Sequence, residues 1–497
     1  MARTTLVPAA RTRTVTKTID PVTRIEGHLR VKIEVSAGKV ANAWSSGLLW
    51  RGFEHILLGR DPRDAPILTQ RICGVCHAVH RLTSILALED ASTASGAQLT
   101  PTPDAVRIRN IEQGINFVYS HAAHIFVLAG PDYDLYGLVP GLSEGKSLDQ
   151  YYSVLKSVVL PAQRLCHEIA AIFGGKTPHH MTTLPGGVTC VPTQNAITAA
   201  LNRMSTIKGT INTYAPKVLE FLEAHRSELE AFGAGCGNFL AYGVFADPDR
   251  PKDPSRLLLK RGISINGGAT QPLDVTRITE AVKYSWYTST SGGNPAQEIP
   301  PKDFYGKRSA YSWLKAPRYN AKVFEVGPLA RLAVSGRYPR KASVYDRLKA
   351  RASEMLLVME NVEAWIRELS PGARVYEPYN VPYGAPYTSP TSATGVGLWE
   401  APRGANGHWV RIEGGKIAHY QVVAPTNWNA SPRDDDGQLG PIEQALINVP
   451  VPDPEKPINA LRTVRSFDPC LACSVHVIIP DERDHIGKLG HPERSPG

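Results

Sequence analysis

The sequence predicts a mainly helical α+β protein with small peripheral sheets, and three patterns carry that prediction. Leu348, Ala352, Met355, Met359, Val362, Ile366 and Leu369 recur at spacings of three and four, which predicts a helix over 344–369 stopped by Ser370-Pro371-Gly372. Alternation of apolar and polar residues in Leu29-Arg30-Val31-Lys32-Ile33-Glu34-Val35 predicts a half-buried strand. His408-Trp409-Val410-Arg411-Ile412 and the run from Lys416 to Val423 flank Glu413-Gly414-Gly415, which predicts a hairpin.

The first strand places Glu26 and His28 at its entrance. Helical stretches over approximately 104–130, 147–173 and 194–230 fill the middle of the chain. The region 240–340, rich in Pro, Gly, Tyr and Trp, reads as loop and short strand. No repeat or low-complexity tract interrupts the pattern, and Val477 to Gly497 is charged, bears Pro and Gly and carries no structural signature.

At 497 residues the chain allows roughly three average domains or one large interlocked body. No run approaches about 18 consecutive apolar residues, so no transmembrane helix is expected. The basic, Thr-rich beginning from Met1 to Asp20 lacks the apolar region of a secretory signal, so export requires riding on a partner. The formal charge is +9, but the 55 Lys and Arg are scattered and no nucleic-acid motif accompanies them, so nucleic acid is not an expected partner.

Seven cysteines are present, and four form two Cys-x-x-Cys pairs near opposite ends: Arg71-Ile72-Cys73-Gly74-Val75-Cys76 and Asp468-Pro469-Cys470-Leu471-Ala472-Cys473. Cys166, Cys190 and Cys236 stand alone and read as small core residues. Thiolates select soft metals, and four sulfurs are a common set for zinc, nickel or iron. A structural zinc site usually has its pairs about 15–20 residues apart, whereas almost the whole chain separates these two. That separation fits a reactive centre buried between two halves of a large protein. His77 and His80 would join the ligands in a zinc-finger reading; His80 reads instead as a histidine that hydrogen-bonds around the site.

With these motifs in view, the chain resembles the large, catalytic subunit of a nickel–iron hydrogenase. The likeness rests on Arg71-x-Cys73-Gly74-x-Cys76-x-x-x-His80, Asp468-Pro469-Cys470-x-x-Cys473-x-x-His476, Arg24-Ile25-Glu26-Gly27-His28, and Ala401-Pro402-Arg403-Gly404 with His408-Trp409. Arg51-Gly52-Phe53-Glu54, Gly174-Gly175-Lys176-Thr177-Pro178-His179 and Pro185-Gly186-Gly187 extend it. The resemblance implies the family's large interlocked fold over 1–476, and a peptide over 477–497 that is removed after His476 on maturation.

It also implies a site. Cys73 and Cys470 would be terminal ligands of nickel, with Cys76 and Cys473 bridging nickel and iron, and carbon monoxide and cyanide on the iron. Glu26 would take the proton from Cys470; Arg403 would polarise substrate above the metals, or serve as the base itself; Asp468 would hold Arg403. Thr426 would hydrogen-bond a cyanide. Glu54, the Val422 carbonyl and His476 resemble ligands of a second cation, magnesium or iron. Val75 and Leu128 correspond to a gas passage, although core packing alone would account for both. Two departures stand out: Tyr119-Ser120-His121 lacks an acidic residue frequent there, throwing the support of Arg403 onto Asp468, and His77 replaces a small polar residue.

Dihydrogen would be the substrate. The three solitary cysteines cannot ligate a chain of iron–sulfur clusters, each of which typically takes four, so an iron–sulfur small subunit is the implied electron partner. Maturation factors, a C-terminal endopeptidase and, through the partner, a membrane cytochrome follow from the resemblance. So does a membrane-associated position on the periplasmic side, with a cytoplasmic one as the alternative. The competing readings are a metal-free subunit of the related respiratory NADH dehydrogenase family, opposed by the retained cysteines and Arg403, and a structural zinc protein with four cysteine ligands.

Overall fold

The computed structural model of the 497-residue chain describes residues 14–97, 99–133, 155–288, 293–297, 307–376 and 388–474, with the backbone alone at Cys473 and Ser474. Its centre is a layer of long helices, Pro103–Ala123, Leu160–Gly174, Gln194–Ala224 and Val344–Arg367, packed side by side. Their starts follow from local chemistry. Thr102 and Thr193 each accept a backbone N–H through the side chain, and Pro103 needs no donor at the first position. Ser343 accepts from Asp346 N at 3.1 Å and donates to its carboxylate at 2.6 Å.

These helices lie where the periodicity predicts them, with differences at their ends. The stretch expected over 104–130 leaves the α conformation after Ala123 and passes through a π-helical turn at His124–Ala129. The expected 194–230 helix breaks at His225 and resumes as Arg226–Glu230. The start of the 147–173 stretch lies outside the described residues.

Two antiparallel meanders flank the helices. Val15–Ile19, Leu29–Ser36 and Lys39–Gly47 form one, with Leu29, Val31, Ile33 and Val35 on its buried face as the alternation requires. Ala393–Ala401, Gly404–Glu413 and Lys416–Val423 form the other, and the predicted hairpin turns at Gly414-Gly415. Its first hairpin turns at Pro402-Arg403, so Arg403 is carried on the tip of a sheet driven into the interior, only 4% exposed.

The periodicity does not reveal the helix His77–Ala94, which begins immediately after Cys76. Fourteen of its 18 residues are buried, so it has no polar face to give an amphipathic period. It lies against Ala393–Ala401, and glycine permits the approach: a Cβ on Gly397 would overlap the Thr83 carbonyl oxygen, and one on Gly395 that of Ala87. The same glycines hide that strand from a β-propensity reading.

The two ends of the chain are stitched together. Val40 N donates to Val449 O, Asn448 N to Val40 O, and the buried Glu443 carboxylate accepts from Ser45 N. Glu26 forms a parallel bridge with Cys470. Gly397→Ala forces either the strand or the helix to shift, with an expected loss of about 1–3 kcal/mol; thermal unfolding of the variant checks it, and an unchanged midpoint would refute this packing argument.

Candidate metal centre

Three predicted ligands converge. The sulfurs of Cys73, Cys76 and Cys470 lie within 4.8 Å of one another, all buried, with Cys73 Sγ 3.4 Å from Cys470 Sγ. The side chain of Cys473 and all of His476 lie outside the described residues. A buried set of sulfurs is the donor chemistry a soft metal requires. Neither His77 nor His80 joins it among the described residues. His80 Nδ1 is instead 3.1 Å from His408 Nε2, whose other nitrogen is 2.9 Å from Tyr420 Oη, and burial pushes the His80 pKa down to about 4. His77 Nδ1 accepts from His179 N at 3.1 Å, so this residue anchors the Gly174–His180 loop against the first cysteine motif.

Glu26 reaches the cluster. Cys470 Sγ donates to Glu26 Oε2 at 3.1 Å, and Ala472 N donates to the same oxygen at 2.9 Å. Leu471 N donates to the Glu26 carbonyl at 2.8 Å. This contact needs glycine next door: Gly27 has φ 81°, and a Cβ there would sit 2.7 Å from Leu471 Cβ. Burial, then the Cys73 thiol, raise the Glu26 pKa against the lowering hydrogen bond from Cys470. Arg24 does not neutralise Glu26; it pairs with Asp132 and donates to Leu128 O at 3.0 Å.

Arg403 and Asp468 meet above the sulfurs, with Arg403 Nη2 3.2 Å from Asp468 Oδ1, and Nη1 3.4 Å from Ser120 Oγ. Ser120 therefore stands at the position where the sequence lacks an acid. Burial opposes the charge on Arg403, but Asp468, Cys470, Cys76 and Cys73 outweigh it and hold its pKa well above the ordinary value. Burial likewise opposes ionisation of Asp468, and Arg403, His124 and Arg351 overcome it. Asp468 sits at φ 56°, a left-handed conformation costly for a non-glycine residue and retained where the surroundings impose it. Thr426 Oγ1 accepts from Cys470 N at 3.0 Å.

Sequence reasoning gave Arg51 no role, yet its Nη2 donates to the carbonyls of Ile72 and, at 2.5 Å, Ala472, clasping both cysteine motifs. Its only signal was membership of the Arg51-Gly52-Phe53-Glu54 segment. Val75 and Leu128 are half-buried; Val75 packs against the main apolar core and its carbonyl accepts from Tyr119 Oη at 2.7 Å, and the Leu128 carbonyl accepts from Arg24.

Around the predicted second cation site, Glu54 Oε1 accepts from Val422 N at 3.1 Å. Lys315 Nζ lies 3.8 Å from that oxygen and 3.1 Å from Glu280 Oε2, and Gln421 Nε2 donates to the same Glu280 oxygen. Glu280 Oε1 and Gln421 Oε1 are buried without a hydrogen-bond partner among the described residues. Two carboxylates against one ammonium, with orphaned oxygen acceptors, fit a hydrated hard cation.

Cys470→Ala removes a sulfur from the centre of the cluster, so nickel in the purified protein should fall to background. Metal analysis showing unchanged nickel, or zinc in the parent, would exclude this assignment.

Comparison with known proteins agrees with the geometry. A family model described as nickel-dependent hydrogenase matches residues 51–136, 154–342 and 337–476, and one described as HoxL-like matches 16–45. The periplasmic [NiFeSe] hydrogenase large subunit of Desulfomicrobium baculatum is 37% identical, over 93% of this chain and 94% of its own. The uptake hydrogenase large subunit of Bradyrhizobium diazoefficiens is 33% identical, over 94% and 96%. A solved structure of the reduced, active D. baculatum enzyme superposes with a TM-score of 0.82 at 36% identity, covering 93% of this chain and all of that one. With the sulfur cluster, Arg403 and Glu26 assembled on that fold, the chain belongs to the nickel-dependent hydrogenase family as a catalytic large subunit.

Proposed function

We propose that this chain cleaves dihydrogen heterolytically and reversibly at a nickel–iron centre, in which Cys73 and Cys470 would be ligands of nickel and Cys76 and Cys473 would be shared by nickel and iron. The observation that carries the reading is the convergence of three buried sulfurs with one carboxylate and one guanidinium on a single point. When bound, such a centre, with carbon monoxide and cyanide on its iron, supplies Lewis acidity toward dihydrogen and takes up its electrons.

The chain's own residues then handle charge and protons. Cys470 Sγ receives the proton, and Glu26, 3.1 Å away with a raised pKa, passes it outward. Arg403, held charged by Asp468 and the sulfurs, polarises the substrate; that charge supports the polarising role over the role of base. Thr426, whose oxygen accepts from Cys470 N, would offer its hydroxyl proton to a cyanide of that centre. Glu54, Val422 and His476 would hold the second cation, magnesium or iron, with Glu280, Gln421 and Lys315 around it; the orphaned acceptors there support a hydrated ion.

Electrons leave to an iron–sulfur small subunit, since this chain lacks the cysteines for a cluster chain. Its body over 1–476 is one interlocked unit, supported by the stitching of its two ends, and 477–497 is the peptide that an endopeptidase removes after maturation factors load nickel. No helix among the described residues is long and apolar enough to cross a membrane. Attachment on the periplasmic side would run through the small subunit and a cytochrome, and a relative described as periplasmic supports that side over the cytoplasmic one.

Glu26→Gln tests the proton route. The amide keeps size and hydrogen bonding but cannot titrate, so net turnover and deuterium–proton exchange with solvent should fall together. Conversion between para- and ortho-hydrogen, which needs only local cleavage and recombination, should survive. Exchange at the parent rate would take Glu26 off the route. Intact-mass measurement of the active enzyme should place the C-terminus at His476; an active chain that still carries Gly497 would contradict the processing step.

A further inference from the structure

Asp468 is shared between two guanidiniums. Arg403 Nη2 lies 3.2 Å from Oδ1, and Arg351 Nη1 donates to Oδ2 at 3.1 Å. The same Arg351 nitrogen lies 3.2 Å from His121 Nδ1. His121 Nε2 is 2.9 Å from Glu354 Oε2, and Arg331 grips both Glu354 oxygens, through Nε at 2.7 Å and Nη2 at 2.6 Å. Arg331 then donates to the carbonyls of Ala401 at 2.8 Å and Pro402 at 2.9 Å, the two residues that precede Arg403. The chain of contacts therefore leaves Arg403 by its guanidinium and returns to it through its own backbone.

The proton count along this path is consistent. Burial pushes the His121 pKa down to about 4, so near neutral pH the ring is uncharged, donates from Nε2 to Glu354 and accepts at Nδ1 from Arg351. Arg331 also pairs with Glu400 at 2.7 Å, so three guanidiniums face Asp468, Glu354 and Glu400, of which burial raises the Glu400 pKa to about 7 while, against burial, Arg331 holds that of Glu354 down to about 2. All are at most 4% exposed. Moving any one member would strand a buried charge, so the arrangement has little freedom to relax.

We propose that Arg351, His121, Glu354 and Arg331 are positioning residues for hydrogen cleavage: they close a ring that clamps Arg403 at both its backbone and its guanidinium. Arg351 is the decisive member. By occupying Oδ2 it fixes the plane of the Asp468 carboxylate, and with that plane the direction in which Oδ1 meets Arg403. The inference rests on the reading that Arg403 acts on substrate at the metals.

The test is a double-mutant cycle on the purified complex, with nickel content and thermal midpoint measured beside hydrogen oxidation. Arg351→Gln should keep its nickel yet lower the turnover rate on the order of tenfold or more, as misplacement of a catalytic group does. Arg403→Lys should lower it further, and the double variant should be no slower than Arg403→Lys alone, because Arg351 acts only through Arg403. Multiplying effects in the double variant, or parent turnover in Arg351→Gln, would overturn the proposal. If Arg351→Gln fails to retain nickel, Arg351→Lys carries the cycle, since it keeps the charge but cannot serve His121 and Asp468 together. Nickel loss in both variants also overturns it, for the residue would then hold the site together rather than aim Arg403. A parent complex without nickel or hydrogen oxidation would instead defeat the hydrogenase reading.

Discussion

The structure depends on holding two remote stretches of backbone against each other at the sulfur cluster. Cys73 and Cys470 are 397 positions apart, yet their sulfurs lie 3.4 Å from each other. Backbone contacts and one guanidinium hold that closure: the parallel bridge between Glu26 and Cys470, the Leu471 N–H on the Glu26 carbonyl, and the Arg51 side chain grasping the carbonyls of Ile72 and Ala472. Groups proposed to handle a proton are thus also the rivets of the joint. Glu26 serves both ends, with its backbone in the bridge and its carboxylate on the Cys470 thiol.

A second constraint is electrostatic. Carboxylates and guanidiniums have been taken out of water in quantity, and each is tolerable only with a partner of opposite sign close by. Arg403 answers Asp468 and the sulfurs, and Lys315 answers Glu54 and Glu280. The fold contributes secondary-structure ends to meet these needs. Arg403 rides on a hairpin tip, Thr426 lies in the first turn of Pro425–Asn429, and Asp468 occupies a left-handed residue between a helix end and Pro469.

The sequence was most legible where chemistry demands a fixed local spacing. The two Cys-x-x-Cys pairs, Glu26 at a strand entrance and the Gly414-Gly415 turn could all be read directly, as could helices with one polar face such as Val344–Arg367. What escaped was whatever depends on burial from all sides or on contacts between distant segments. His77–Ala94 has too few exposed residues to show a period, and Ala393–Ala401 carries glycines that pack well and read poorly. Arg51, Arg351 and the His80–His408 pair acquire meaning only from partners hundreds of residues away or on other elements. The sequence flagged His77 as unusual; its partner His179 becomes apparent only once the Gly174–His180 loop folds over it.

The distance along the chain between the cysteine pairs also bears on how the protein comes into being. Closing so long a loop is entropically unfavourable, and contacts of such sequence separation are expected to form late in folding. Cys470, Leu471 and Ala472, which meet Glu26 and Arg51, are synthesised long after Cys73 and Cys76 have emerged. An incomplete chain therefore has the first pair of thiols but nothing to close over them. Only a polypeptide extended through its second cysteine motif can bring Cys470 against Cys73 and Cys76.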